Sequence, residues 1–334
     1  MRVIALVVLL AACADAMPEQ LPKSYFLHST PEEGPIERLK VGIVAHEIGH
    51  ALGFFHTQAR YDRDSYIEVN ENNVKTDWTI DFDKQDEAHN NNYDLPYDYG
   101  SIMHYGSKSP IAAKDKSKRI MTANDGNYTS TLGSDIISFY DKFMMNKLYD
   151  CLEQCNDNKP DCKNDGFAHP RECSKCICPS GFGGPLCDEK PSSCGEELEA
   201  TNDWQPIETT LDAGEEGEER DEYKRCTYWV KVRDILNIIA IELKIDLKAP
   251  DNVDNAKIEV KITELPEEFN KDGCIYAGVE IKAHENKRLT GYRFCSRDDV
   301  GTELSSNSKI VPVIVYSGSR KKAFSTKLEY RYTS

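Results

Sequence analysis

Past the first sixteen residues the chain has no apolar run long enough to cross a bilayer, so no membrane span is expected. Positive charge is in short supply. Lys and Arg total 41 against 57 Asp and Glu, a net charge of −16. That balance argues against nucleic acid, and against anionic membrane surfaces, as partners. Residues 17–40 lack any strand pattern and are interrupted by Pro18, Pro22, Pro31, Gly34 and Pro35, which leaves a short unassigned segment with no room for a sheet. Glycosylation sequons are reduced to one, Asn127-Tyr128-Thr129, which suits a surface loop.

What is present begins with a leader. Met1 to Ala16 carries an early Arg2, an apolar run from Val3 to Ala12, and Ala14-Asp15-Ala16 as a small-residue cleavage site. It reads as a secretory signal peptide, residues 1–16, and the protein is expected to be secreted and extracellular. Leu10-Ala11-Ala12-Cys13 admits a lipid-attachment reading as the competitor.

The stretch His46-Glu47-Ile48-Gly49-His50-Ala51-Leu52-Gly53-Phe54-Phe55-His56 carries the chemistry. Histidines four apart on a helix project from one face and can grip one metal ion. Glu47 lies beside them, placed to act as a base on water at the metal rather than as a ligand. Gly53 can take backbone angles other residues resist, so it ends the helix and lets the chain bring His56 round as a third ligand. Three histidines leave one zinc position open, the mark of a catalytic site. A purely structural zinc site is disfavoured by that count and by Glu47. His28, His89, His169 and His284 sit in no comparable pattern.

The cysteines divide the rest of the chain. Six of the twelve, Cys155, Cys162, Cys173, Cys176, Cys178 and Cys187, crowd into a segment too small to build an apolar core, so disulfides are expected to hold it. Spacing alone leaves fifteen pairings open. Cys176-Ile177-Cys178-Pro179-Ser180-Gly181-Phe182-Gly183-Gly184-Pro185-Leu186-Cys187 resembles the C-terminal half of an EGF-like module. The resemblance implies the pairs Cys155–Cys173, Cys162–Cys176 and Cys178–Cys187. A zinc ribbon built on Cys173-Ser174-Lys175-Cys176 is the competing reading, which an oxidising compartment disfavours. From Cys194 onward, Tyr228–Val232, Leu236–Ile245, Lys257–Ile262 and Ile310–Tyr316 are rich in Ile, Val and Tyr, several alternate with polar residues, and polar turns separate them. That predicts an antiparallel sandwich. With Cys194–Cys226, Cys274–Cys295, Trp229 and Phe294 it resembles a CUB domain. The acidic run 214–222 reads as a solvated loop.

Pro96-Tyr97-Asp98-Tyr99-Gly100-Ser101-Ile102-Met103-His104-Tyr105 resembles the Met-turn of the metzincins. With Arg60-Tyr61-Asp62-Arg63-Asp64 close behind His56, the match narrows to the astacin family of zinc endopeptidases. The resemblance implies an α+β chain. A partial metzincin catalytic domain (active-site helix, Met-turn and C-terminal helix) over 41–151 is followed by a disulfide-rich EGF-like module over 152–189 and an all-β CUB sandwich over 194–334. It implies one zinc ion on His46, His50 and His56, Glu47 and Tyr105 as catalytic residues, and Met103 as an apolar floor beneath the metal. It implies no metal role for His104. Protein or peptide substrates are the expected partners, with extracellular protein ligands for the EGF-like and CUB parts.

Three departures set further expectations. The sequence leaves no space for the family's N-terminal lobe or its propeptide, so both are expected to be lacking. On a helical wheel Val41, Val44, Ala45, Ile48 and Leu52 gather away from the zinc, a stripe that the lobe would cover. Once the signal is removed eleven cysteines remain, and Cys151, at the end of the helical stretch Ser134–Tyr149, is the odd one, expected to stay unpaired. Thr57 replaces the family's usual glutamate after the third histidine and cannot form its ion pair. The expected function is therefore a secreted zinc metalloendopeptidase. A catalytically inactive EGF/CUB protein-binding remnant is the alternative.

Overall fold

The computed structural model describes residues 41–213, 223–232, 256–318 and 322–333. The leader, the 17–40 segment, His28, the acidic run and the Leu236–Ile245 run lie outside these residues. Helix α1 spans Val41–Ala51, strand β1 Ile67–Val69, β2 Met121–Ala123 and helix α2 Phe139–Leu148. Between them run short 3-10 turns and loops, packed around Ile67, Val74, Tyr97, Met121 and Leu132. β1 and β2 pair antiparallel. A disulfide-bonded hairpin follows, β3 (Phe167–His169) with β4 (Glu172–Ile177).

Among the described residues nine strands make the C-terminal sandwich: β5 (Glu197–Ala200), β6 (Gln205–Leu211), β7 (Lys224–Val232), β8 (Lys257–Glu264), β9 (Ala277–Ile281), β10 (Tyr292–Phe294), β11 (Glu303–Ser306), β12 (Ile310–Ser317) and β13 (Phe324–Thr333). One sheet has the order β10-β9-β12-β7-β5 and the other β11-β8-β13-β6. All pairs are antiparallel except β5 with β7. In β6 and β8 the buried residues alternate with accessible ones, because one face meets the opposite sheet and the other meets water. β12 is buried along nearly its whole length. Its outer face is covered by the disulfide-bonded region: a Cβ added at Gly181 would lie 2.5 Å from Pro312. Nearby, Trp229 Nε1 donates to the Gly181 carbonyl at 2.7 Å, and Phe182 packs on the indole.

With both cysteines among the described residues, five disulfides join Cys155–Cys173, Cys162–Cys176, Cys178–Cys187, Cys194–Cys226 and Cys274–Cys295. Cys151 corrects the expectation drawn from the odd count. It too is disulfide-bonded, and no described cysteine is free.

The second helix also differs from its predicted span of Ser134–Tyr149. Residues 134–137 stay outside α2, because Ser138 caps it. The Ser138 side chain accepts from Asp141 N while the Asp141 carboxylate accepts from Ser138 N. In α1 the apolar stripe is only half covered. Gly49 is the sole buried residue, Val44, Ala45, Ile48 and Leu52 are partly buried, and Val41 and Ile43 are 41% and 44% exposed.

Candidate metal centre

α1 ends where the sequence placed its stop. Gly53 has φ +96°, and its N–H reaches the His50 carbonyl while Phe54 N–H reaches that of Gly49, each at 3.0 Å. This double closure satisfies two helix-end carbonyls and reverses the chain. It also aims the Phe54 carbonyl back at the helix, where it accepts from His50 Nδ1 at 2.8 Å. The reversed segment is then locked. Arg60 grips Asp62 through two nitrogens and donates to the carbonyls of Leu95 and Pro96. Arg63 donates to the carbonyls of Gln58 and Phe82. His56 is thereby returned to the face of α1.

The three imidazoles converge. Their Nε2 atoms stand 3.0, 3.1 and 3.2 Å apart, and among the described residues they form the one cluster of this kind. A carbonyl can only accept, so Nδ1 of His50 and Nδ1 of His46, which lies 2.7 Å from the Ile102 carbonyl, must carry the hydrogens. Asp81 Oδ1, 3.7 Å from His56 Nδ1, favours the same tautomer there. Three Nε2 lone pairs therefore face one point, where they repel one another unless a cation lies between them. A proton is a poor candidate. Burial, the largest influence, lowers the pKa of His46 and holds that of His56 well below its ordinary value. Neutral imidazole is the ligand form. A tetrahedral zinc with bonds of about 2.0–2.1 Å sets its nitrogens about 3.3–3.4 Å apart, close to the observed triangle. The donor set fits zinc.

The other expected residues surround this triangle. Met103 is buried beneath α1, with its sulfur 2.5 Å from where a Cβ on Gly49 would stand. Glycine is required there because the thioether occupies the space. The Tyr105 ring lies 4.3 Å from that of His56. Its phenol pKa is raised by burial first, then by the charges of Asp81 and Glu47. Glu47 is exposed and acts electrostatically on both His46 and Tyr105. His104 stands apart from the triangle. It is buried, donates from Nδ1 to the Tyr105 carbonyl and accepts at Nε2 from the Tyr97 hydroxyl, and burial pushes its pKa down to about 4. Asn127 is exposed on its 3-10 turn, whereas Thr129 of the same sequon is buried.

Sequence reasoning missed the groups that hold the histidines. Asp141 Oδ1 accepts from Ser101 Oγ at 2.6 Å and Oδ2 from Ile102 N at 3.0 Å. It thus fixes the carbonyl that orients His46. Thr57, buried, donates from its hydroxyl to Ser101 Oγ and from its backbone to the Met103 carbonyl. The Ser138–Asp141 spacing is a readable capping signal. Nothing in the sequence linked it to Ser101, or Asp81 to His56.

Three imidazoles around one point, with a carboxylate and a phenol nearby, form a three-histidine site of the kind that can hold a metal ion. Comparison with known proteins points the same way. Residues 37–150 match the model of the astacin family, peptidase family M12A. Zinc metalloproteinase nas-31 of Caenorhabditis elegans is 45% identical over 291 residues, covering 87% of this chain and 43% of that protein. Nas-29 of the same organism is 33% identical over 299 residues, covering 88% and 50%. Among solved structures, high choriolytic enzyme 1, a hatching-enzyme zinc protease of Oryzias latipes, matches at 38% identity and a TM-score of 0.30. It covers 33% of this chain and 52% of its own. The chain spans about half the length, or less, of these curated relatives.

Proposed function

We propose that the chain acts as a secreted zinc endopeptidase on protein or peptide substrates. The observation that carries this reading is the Nε2 triangle, with two of the three opposite nitrogens tied to backbone carbonyls. Zinc, when bound, supplies a Lewis acid that polarises a scissile carbonyl and makes water nucleophilic near neutral pH. The chain's own residues do the rest. Glu47 accepts the proton of the attacking water and returns it to the departing amine. Tyr105, kept protonated by its raised pKa, offers a hydroxyl to the oxygen that gains charge in the transition state. Met103 packs against Gly49 and keeps apolar surface beneath the ligands.

The module reading is part of this proposal: residues 41–151 as the C-terminal part of a catalytic domain, 152–189 as EGF-like and 194–334 as CUB. A small hairpin with three disulfides supports the second, and two packed sheets with two disulfides support the third. Abundant disulfides support an oxidising, extracellular setting. No helix among the described residues is long and apolar enough to cross a membrane. Exposed Asn127 is the proposed glycan site. The net charge of −16 supports protein rather than nucleic-acid partners.

The test is Glu47→Gln. It should retain zinc at parental stoichiometry while hydrolysis of an unfolded protein substrate falls about 10²–10⁴-fold. Equal activity in both proteins would refute the assigned base. A second reading, a binding protein whose site does no chemistry, is favoured by one observation: α1 buries only Gly49. Zinc bound at full occupancy with no hydrolysis by the parental chain would select it.

A further inference from the structure

The turn that carries Ile102 and Met103 is gripped at both ends by the C-terminal sandwich. Upstream, buried Asp98 accepts from Thr290 N at 3.1 Å and from Thr290 Oγ1 at 3.2 Å. The fit is close, since a Cβ on Gly100 would lie 2.3 Å from the Thr290 side chain. Downstream, the Asp272 carboxylate accepts from Ser107 Oγ at 3.1 Å and from Lys108 N at 2.6 Å. Here three glycines interlock. A Cβ on Gly106 would stand 2.8 Å from Asp272, one on Gly133 2.6 Å from the Gly106 backbone, and one on Gly273 2.1 Å from the Gly133 carbonyl. Gly133 and Gly273 both have positive φ, so side chains are excluded by conformation as well as by space.

The two grips are themselves tied. Asp272 is two residues from Cys274, Thr290 five from Cys295, and these cysteines form a disulfide. Around the Thr290 grip, residues 290–293, which lead into β10, are anchored to the site layer by further groups. Arg293 donates from its backbone to Thr131 Oγ1 and from its guanidinium to Ser134 Oγ, with Glu280 as its ion-pair partner. Tyr292 stacks on Tyr128, and Tyr128 on Tyr99, with centroids 4.0 and 4.3 Å apart. In the middle of the gripped turn the Ile102 carbonyl orients His46, and Met103 fills the space at Gly49.

We propose that the sandwich is a structural component of the metal site, positioning the Met-turn through Thr290 and Asp272, rather than only a separate module beside it. The proposal rests on the metal-site reading above. Thr290 and Asp272 are positioning residues: they touch neither the three imidazoles nor any reacting atom, and they act through the turn. Loosening either grip should therefore loosen the ligand set while the chain remains folded. An isolated binding module, by contrast, would leave zinc retention unchanged when its contacts were cut.

The experiment compares the full-length parent with Asp272→Ala, Thr290→Val and the double variant. The readouts are the rate of zinc release to a chromogenic chelator, the visible spectrum of the cobalt(II)-substituted protein, and amide exchange across residues 98–108. Loss of an outer partner commonly weakens metal binding about 10–100-fold. The double variant should release zinc at least about tenfold faster, with a shifted cobalt spectrum and faster exchange at Lys108. Asp272→Asn, which keeps one acceptor oxygen, should restore most of the retention. Leu328→Ala, buried on β13 in the β11-β8-β13-β6 sheet, controls for general destabilisation and should release zinc at the parental rate. Parental release and spectrum in a folded double variant would overturn the coupling alone. A parent that binds neither zinc nor cobalt would overturn the metal reading and this proposal with it.

Discussion

In the sandwich Val279, Ile281, Val313 and Val315 are fully buried between sheets, and each is one of many apolar groups lost from water together. In the layer that carries the histidines the chain is mostly turns, and specific polar bonds hold it: Arg60 and Arg63 on backbone carbonyls, Asp141 on Ser101 and Ile102, Thr57 on Ser101. Burial is non-directional and tolerates small shifts. A buried polar bond is directional, and leaving one partner unsatisfied costs about 1–3 kcal/mol. The difference suits the two tasks. The sheets need only stay packed, whereas three imidazoles must keep their nitrogens within a few tenths of an ångström of one geometry. The site layer obtains that precision from hydrogen bonds and, through Asp98 and Asp272, from the sandwich itself.

This contrast can be broken in a definite order. Ile262→Ala, at a position with no exposed surface, should lower unfolding free energy by about 2–5 kcal/mol. Chemical denaturation measures it, and zinc release below the transition should be unchanged. Acid comes next. Burial lowers the His104 pKa to about 4, against an ordinary value of 6.5, so the unfolded chain takes up this proton first. Stability is full above pH 6.5 and is lost as pH falls toward 4, by on the order of 3 kcal/mol for this residue. His46 and His56, also lowered, add losses of the same sign in metal-free protein. Urea midpoints compared at pH 7 and pH 4, in the parent and in His104→Gln, would show it; a slope unaltered by the substitution would remove His104 as a source.

A smaller effect is expected from Gly49→Ala. Alanine gains about 1 kcal/mol of helix propensity but must displace Met103, at about 1–3 kcal/mol. The net loss should be about 1 kcal/mol, with faster zinc release, and unaltered release would show that Met103 does not bear on the ligands. Ser138→Ala should be smallest in its consequence for the site, costing about 1 kcal/mol through the lost cap of α2. Asp141 keeps its bonds to Ser101 and Ile102, so the cobalt spectrum should not move.

Much of this was legible without coordinates. The four-residue spacing of His46 and His50 placed them one helical turn apart, and Gly53 marked the reversal that returns His56. The apolar alternation around Lys257–Ile262 announced a strand. Other features were not legible. Cysteine spacing left the pairings within 155–187 open until a resemblance narrowed them, and counting cysteines did not show that Cys151 is disulfide-bonded. The predicted helix began five residues early, because an apolar pattern does not reveal which serine satisfies the first free N–H groups.

By itself the sequence pointed to the histidine triad, the candidate base and the order of elements. Those depend on residues close along the chain, where helix geometry and glycine's backbone freedom act locally. Only the tertiary structure decided what orients the ligands. Ile102 reaches His46 across 56 positions, Asp141 reaches Ser101 across 40, and Thr290 reaches Asp98 across 192. A hydrogen bond forms wherever folding brings donor and acceptor together, and its partner leaves no periodic trace along the chain.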